Sequence, residues 1–292
     1  MRLDDARESG NVEDRRGLAP AVAGGGGVLA LVVMAVAYLV TGDPNAAKQA
    51  GAVAGKLQGG GQMKQVGPPP NDEVKKFTQK VVGLTEEVWA ERFKQDYGEE
   101  YAPPKTVIFS QAVRTGGCGD APSEVGPFYC PADKTVYFDP AFFDELQSKL
   151  KGSKADFSKA YVIAHEVGHH VQNLLGYSDQ VRRFEKTEGK NGGIRLELQA
   201  DYLAGVWAFH ANKLKRILEP GDAEEALTTA KAIGDDMIAK TVSRSGWVSP
   251  ESFTHGTSAQ RLKAFKKGLD GGDASKRALD YYFNPRTNPL EL

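Results

Sequence analysis

Cysteine, histidine and net charge are all scarce in this chain, and each scarcity closes off a class of function. Two cysteines in 292 residues, Cys118 and Cys130, cannot build a disulfide scaffold, and their spacing is wrong for a zinc knuckle. A net charge of −1 offers no electrostatic footprint for nucleic acid. There is no internal repeat, and only one long apolar run, so a second membrane span is not expected. With only 5 histidines available, any cluster of them stands out.

What is present is unevenly placed. Residues 1–17, "MRLDDARESGNVEDRRG", are polar with no apolar period and read as a short disordered tail. From Leu18 to Val40 no residue is charged, and residues 18–41 read as one transmembrane helix. A cleaved signal peptide is the rival, but the apolar stretch starts late and lacks a clear cleavage site. Arg15 and Arg16 flank the run on one side and Asp43 on the other, so the positive-inside rule places the tail in the cytoplasm and the rest outside it. Residues 42–70, rich in Gly, Ala and Gln and ending in Pro68-Pro69-Pro70, read as a flexible tether with a stiff end.

Residues 71–292 carry alternating signals of a mostly helical α+β domain with a small β-sheet. Asn71 can cap a helix to about Gln95, with an irregularity expected around Gly83. "KTVIFS" (105–110) reads as a strand, and residues 126–140 as two strands joined by a turn at 131–134. Helices follow over 140–150, 156–175, 193–214, 223–241 and from about Ser258, with a last one ending near Tyr282; the charged stretch after Gly176 is given no element. Outside the cytoplasm, Cys118 and Cys130 can form one disulfide pinning the Gly-rich loop between them; inside it, two buried thiols are expected.

Chemistry concentrates in His165-Glu166-Val167-Gly168-His169. On a helix, His165 and His169 share a face and can present two imidazole nitrogens to one ion, with Glu166 beside it as a general base. Catalytic zinc usually takes three protein ligands. The best source of the third is "LELQAD", where Glu197 and Asp201 lie four apart on one helix. One carboxylate can complete a His₂Glu set while the other accepts the outer N–H of a ligand histidine. His170 points about 100° round the helix and suits a supporting or surface role, whereas His210 lies too far along its helix. His255, in the loop "THGTS", can stabilise an oxyanion or simply face solvent near a helix start.

"AHEVGHHVQNLLG" with "RLELQADYLAG", together with "NVEDRRG", "GPFYCPADKTVYFD" and "FTHGTSAQRLKAFKKGL", resembles the bacterial family of putative neutral zinc metallopeptidases. The resemblance covers nearly the whole chain. It implies a single-span membrane protein with a zincin-like metallopeptidase domain. The pattern H-E-x-x-H followed by E-x-x-x-D is also that of gluzincins. On that likeness His165, His169 and Glu197 bind one Zn²⁺, Glu166 is the base and Asp201 orients a ligand histidine. "THGTSAQR" is similar to a T-H-P-x-x-x-x-R stretch of HtpX-like membrane gluzincins, with Gly256 in place of Pro; this draws His255 and Arg261 toward the site.

The expected activity is zinc-dependent hydrolysis of peptide bonds by an endopeptidase of the bacterial inner membrane. The tail would be cytoplasmic and the catalytic domain extracytoplasmic. Its partners would be the bilayer and a peptide or protein substrate held along an exposed strand edge at "TVYFD" (135–139). The alternatives are a scaffold module with a structural zinc and a zinc hydrolase acting on something other than peptides.

Overall fold

A Gly at the centre of a long helix normally weakens it, and Gly83 has a specific reason to be there. In the computed structural model, which describes residues 1–17, 72–150, 152–153, 155–188, 191–233, 256–288 and 291–292, helix α1 (Glu73–Arg92) runs unbroken through Gly83. The backbone carbonyl of Arg7 occupies the space a Cβ there would fill. Residues 1–17 therefore lie on the domain, and the expected disordered tail is corrected. Strand β1 (Val12–Asp14) pairs in parallel with β2 (Lys105–Ile108), Val12 opposite Thr106. Ser9 Oγ and Asn11 Nδ2 donate to Glu86 on α1 at 2.6 and 2.7 Å, and Arg7 pairs with the same carboxylate. The expected membrane helix (18–41), the tether (42–70), Asn71 and His255 lie outside the described residues, as does the end of the helix expected over 223–241. The cap of α1 is Asp72, whose side chain accepts from Lys75 N at 3.0 Å.

The larger sheet has the order β1-β2-β6-β5, with β5 (Phe128–Cys130) and β6 (Thr135–Phe138) forming the antiparallel hairpin that the turn residues predict. β6 pairs with β2 on its other side, so "TVYFD" is an inner strand and the edge expected there is corrected: β5 and β1 are the edges. A two-stranded sheet of β3 (Ala112–Arg114) and β4 (Asp120–Pro122) sits beside it. Its connecting loop is tied to β5 by a Cys118–Cys130 disulfide, as one of the two cysteine readings expects.

Helices α2 (Ala141–Leu150), α3 (Asp156–Leu174), α4 (Tyr177–Glu188), α5 (Asn191–Lys215), α6 (Asp222–Ala232), α7 (Ser258–Gly271) and α8 (Lys276–Asp280) complete the fold. The charged stretch after Gly176 is thus helix α4. α5 is the central post, and it is set close to its neighbours by small residues. A Cβ on Gly168 of α3 would stand 3.1 Å from the carbonyl of Ala200. α5 and α7 meet at Gly205 and Gly268, where added Cβ atoms would lie 2.7 Å from Leu269 N and 2.8 Å from Val206 N. Trp207 of α5 stacks on Phe157 of α3 with ring centroids 6.3 Å apart, both fully buried. Each such side chain contributes roughly 1.5–3 kcal/mol of apolar burial, holding the three helices at fixed separation. Among the described residues no helix is long and apolar enough to cross a membrane.

Candidate metal centre

The tight contact of α3 with α5 brings H-E-x-x-H against the acidic pair. His165 and His169, one turn apart on α3, face each other with ring centroids 4.8 Å apart and rings nearly perpendicular at 87°. Both turn Nε2 toward Glu197 of α5, at 3.3 Å for His165 and 3.5 Å for His169. Ligand atoms of His165, His169 and Glu197 all lie within 4.8 Å of one another, and they form the one such group among the described residues. Two imidazoles and a carboxylate are the donor set of a catalytic zinc site, and the outward Nδ1 bonds leave both Nε2 lone pairs directed at the same space. Glu166 follows His165 on the same helix and is buried.

Behind each imidazole lies a different support. His165 Nδ1–H donates to Asp201 Oδ1 at 2.8 Å. Asp201, fully buried, also accepts from Tyr161 OH at 2.5 Å and from Arg261 of α7 at 2.9 and 3.0 Å. That bidentate pair is almost wholly removed from water, where a charge needs a partner. Burial alone would raise the Asp201 carboxyl; the charges of Arg261 and His165 outweigh it and hold it below its ordinary value. Burial likewise lowers His165, but Asp201 and Glu197 overcome it and raise its pKa to about 10 in the metal-free protein. A metal ion must therefore displace a proton from this imidazole.

His169 is held without charge. Its Nδ1–H donates to Gln172 Oε1 at 2.8 Å, and Gln172 Nε2 donates to Leu196 O at 2.6 Å and Gln199 Oε1 at 3.0 Å. Gln199 Nε2 in turn donates to Leu279 O at 2.9 Å. A chain of amides thus connects α8 to His169 through α5 and α3.

His170 takes no part in the ligand set. It is fully buried; its Nε2–H donates to Ala102 O at 2.7 Å, and Nδ1 accepts from Tyr129 OH at 3.0 Å. His210 bonds Gly272 O, well along α5 from the centre. The placement of His255 is outside the described residues, but its neighbour Gly256 has φ +86°, a conformation proline cannot adopt. The loop therefore differs in backbone from the proline-bearing stretch it resembles. Arg261, on α7 and 60 residues beyond Asp201 in sequence, lies next to it in space and donates to its carboxylate at 2.9 Å. Tyr161, Gln172 and Gln199 were not singled out by sequence reasoning. Their signal was helical spacing: Tyr161 precedes His165 by one turn, and Gln172 follows His169 by nearly one.

The chain is 42% identical over 298 residues to the uncharacterized protein YpfJ of Escherichia coli (strain K12), covering 94% of this chain and 97% of that one. It is 47% identical over 183 residues to the uncharacterized protein Rv2575 of Mycobacterium tuberculosis (strain H37Rv), 59% of this chain and 61% of the relative. No solved structure matches. A family model described as putative neutral zinc metallopeptidase matches residues 1–278, the N-terminal strand included, and the chain belongs to that family.

Proposed function

We propose that the protein is a membrane-attached zinc endopeptidase that hydrolyses peptide bonds of a peptide or protein substrate outside the cytoplasm. The observation that carries the reading is the convergence of His165 Nε2, His169 Nε2 and the Glu197 carboxylate, each imidazole fixed from behind through Nδ1. A structural zinc site is closed by four protein ligands. No fourth His, Cys, Asp or Glu joins the group among the described residues, which favours an open catalytic position over the scaffold reading.

Zinc held there supplies Lewis acidity, polarising a carbonyl and lowering the pKa of water toward about 7. The protein's own groups supply the rest. Glu166 accepts the proton of the attacking water and delivers it to the departing amine nitrogen. Asp201 and Gln172 keep both ligand imidazoles in the Nδ1–H form, so that Nε2 stays available. β5 is the sheet edge beside α3, joined to it by the bonds of Tyr129 with His170 and Asn173. An extended substrate laid along β5 would be held by its backbone. His255 is the remaining candidate for an oxyanion donor. The Cys118–Cys130 disulfide supports an oxidising compartment, and the apolar run 18–41 supports attachment to a membrane.

The deciding experiment is Glu166→Gln. Zinc content should be unchanged while peptide cleavage falls by roughly 10²–10⁴-fold. Full cleavage by this variant would remove Glu166 from the role of base.

A further inference from the structure

Residues 18–71 leave the described structure after Gly17 and rejoin it at Asp72, and these two points are side by side. Arg16 donates to Asp14 at 2.7 and 3.0 Å and also pairs with Asp72, the N-cap of α1. The rest of the N-terminal segment is built into the domain along its length. The Met1 amino group lies 3.0 Å from Glu219 and 3.1 Å from Asp222, just before α6 and at its start. Arg2 N donates to Ile217 O, Ser9 N to Gln79 O, and Arg15 N to Ile108 O, at 2.8, 2.9 and 2.7 Å. Ser9 is fully buried, and Ala6 and Val12 belong to the main core. None of these contacts can form through a hydrocarbon layer about 30 Å thick.

We propose that residues 1–17 and the metallopeptidase domain stand on the same side of any membrane the protein meets. This replaces the opposite-side placement that Arg15 and Arg16 suggest. Those arginines are engaged within the fold, Arg15 with Glu13 at 2.9 Å and Arg16 with Asp14 and Asp72. A crossing and a return would need a second apolar stretch of about 20 residues. Residues 42–71 do not contain one, being interrupted by Asp43, Lys48, Lys56, Lys64 and a run of Gly and Pro.

The test uses the full chain in its own membranes, with one cysteine added at a time. Gly10→Cys and Gly271→Cys suit it, because both positions are exposed and a Cβ there meets nothing within 4 Å. The native cysteines are bonded to each other and stay silent. Labelling is with a membrane-impermeant maleimide, first on spheroplasts and then after permeabilisation. Both cysteines should label under the same condition. Labelling of one in spheroplasts and of the other only after permeabilisation would overturn the proposal. A second measurement is the thermal midpoint of Val12→Asp. It should fall by several degrees, because Val12 is buried in the sheet. An unchanged midpoint would detach β1 from the domain and overturn the proposal.

Discussion

Nδ1 of His165 stands 2.8 Å from Oδ1 of Asp201, and that same carboxylate takes both arms of Arg261. One buried acid therefore orients a metal ligand and neutralises a buried cation. Asp201→Asn keeps an oxygen in place but removes the charge. Zinc affinity should drop roughly 10–100-fold, and stability by about 3–5 kcal/mol, because Arg261 is left buried without a counter-charge. Competition with a chromophoric chelator and urea unfolding read the two effects separately. Wild-type affinity in the variant would show that the bond to His165 has no orienting role.

The other ligand is supported by an amide, and this gives a different signature. Gln172→Leu strands His169 Nδ1–H and should weaken zinc binding about tenfold or more. Gln172→Glu keeps the acceptor for His169 but turns it toward the Leu196 and Gln199 oxygens that now receive its N–H groups. Its main cost should be stability, roughly 1–3 kcal/mol. Equal zinc affinity in the Leu variant and the unaltered protein would rule out the support.

Glu197→Ala removes the third donor atom. Dialysis should strip zinc from this variant under conditions where the unaltered protein keeps it. Metal content unchanged after such dialysis would break the ligand assignment.

His170 gives a pH dependence whose sign follows from its burial. Desolvation pushes its pKa down to about 4, partly opposed by the bond to Ala102 O. Above about pH 6.5, the ordinary histidine value, neither folded nor unfolded chain carries a proton there, and the stability is fully present. As pH falls from that value toward about 4, only the unfolded chain takes up the proton, and roughly 3 kcal/mol is lost. The comparison to make is the pH slope of chemical unfolding, metal-free, for the protein and for His170→Gln. A slope left unaltered by the substitution would assign the loss to other groups.

The metal centre was legible because it is written at helical spacing. His165 and His169 on one helix and Glu197 and Asp201 on another need only one packing decision to meet. The β5–β6 hairpin was legible for a related reason, since its turn is local. β1 was not. "VED" is short and charged, and what makes it a strand is a parallel partner more than ninety positions away. The irregularity expected at Gly83 failed for the same cause: the glycine answers the Arg7 carbonyl, which periodicity within α1 cannot reveal. β6 was misread as an edge because β2 reaches it only through the assembled sheet. Gln172 and Gln199 look like ordinary helix formers until their partners are in place.

Gly205 and Gly268 have a consequence for tuning of the centre. Gly205 lies one turn beyond Asp201 on α5, and Gly268 two turns beyond Arg261 on α7. The gap between the two helices is thus gauged by hydrogen atoms, and it also sets the reach of Arg261 to its acid. A single methyl group at Gly205 would act as a wedge. It would lengthen the guanidinium–carboxylate bond without touching a ligand, and so detune the metal centre from a distance.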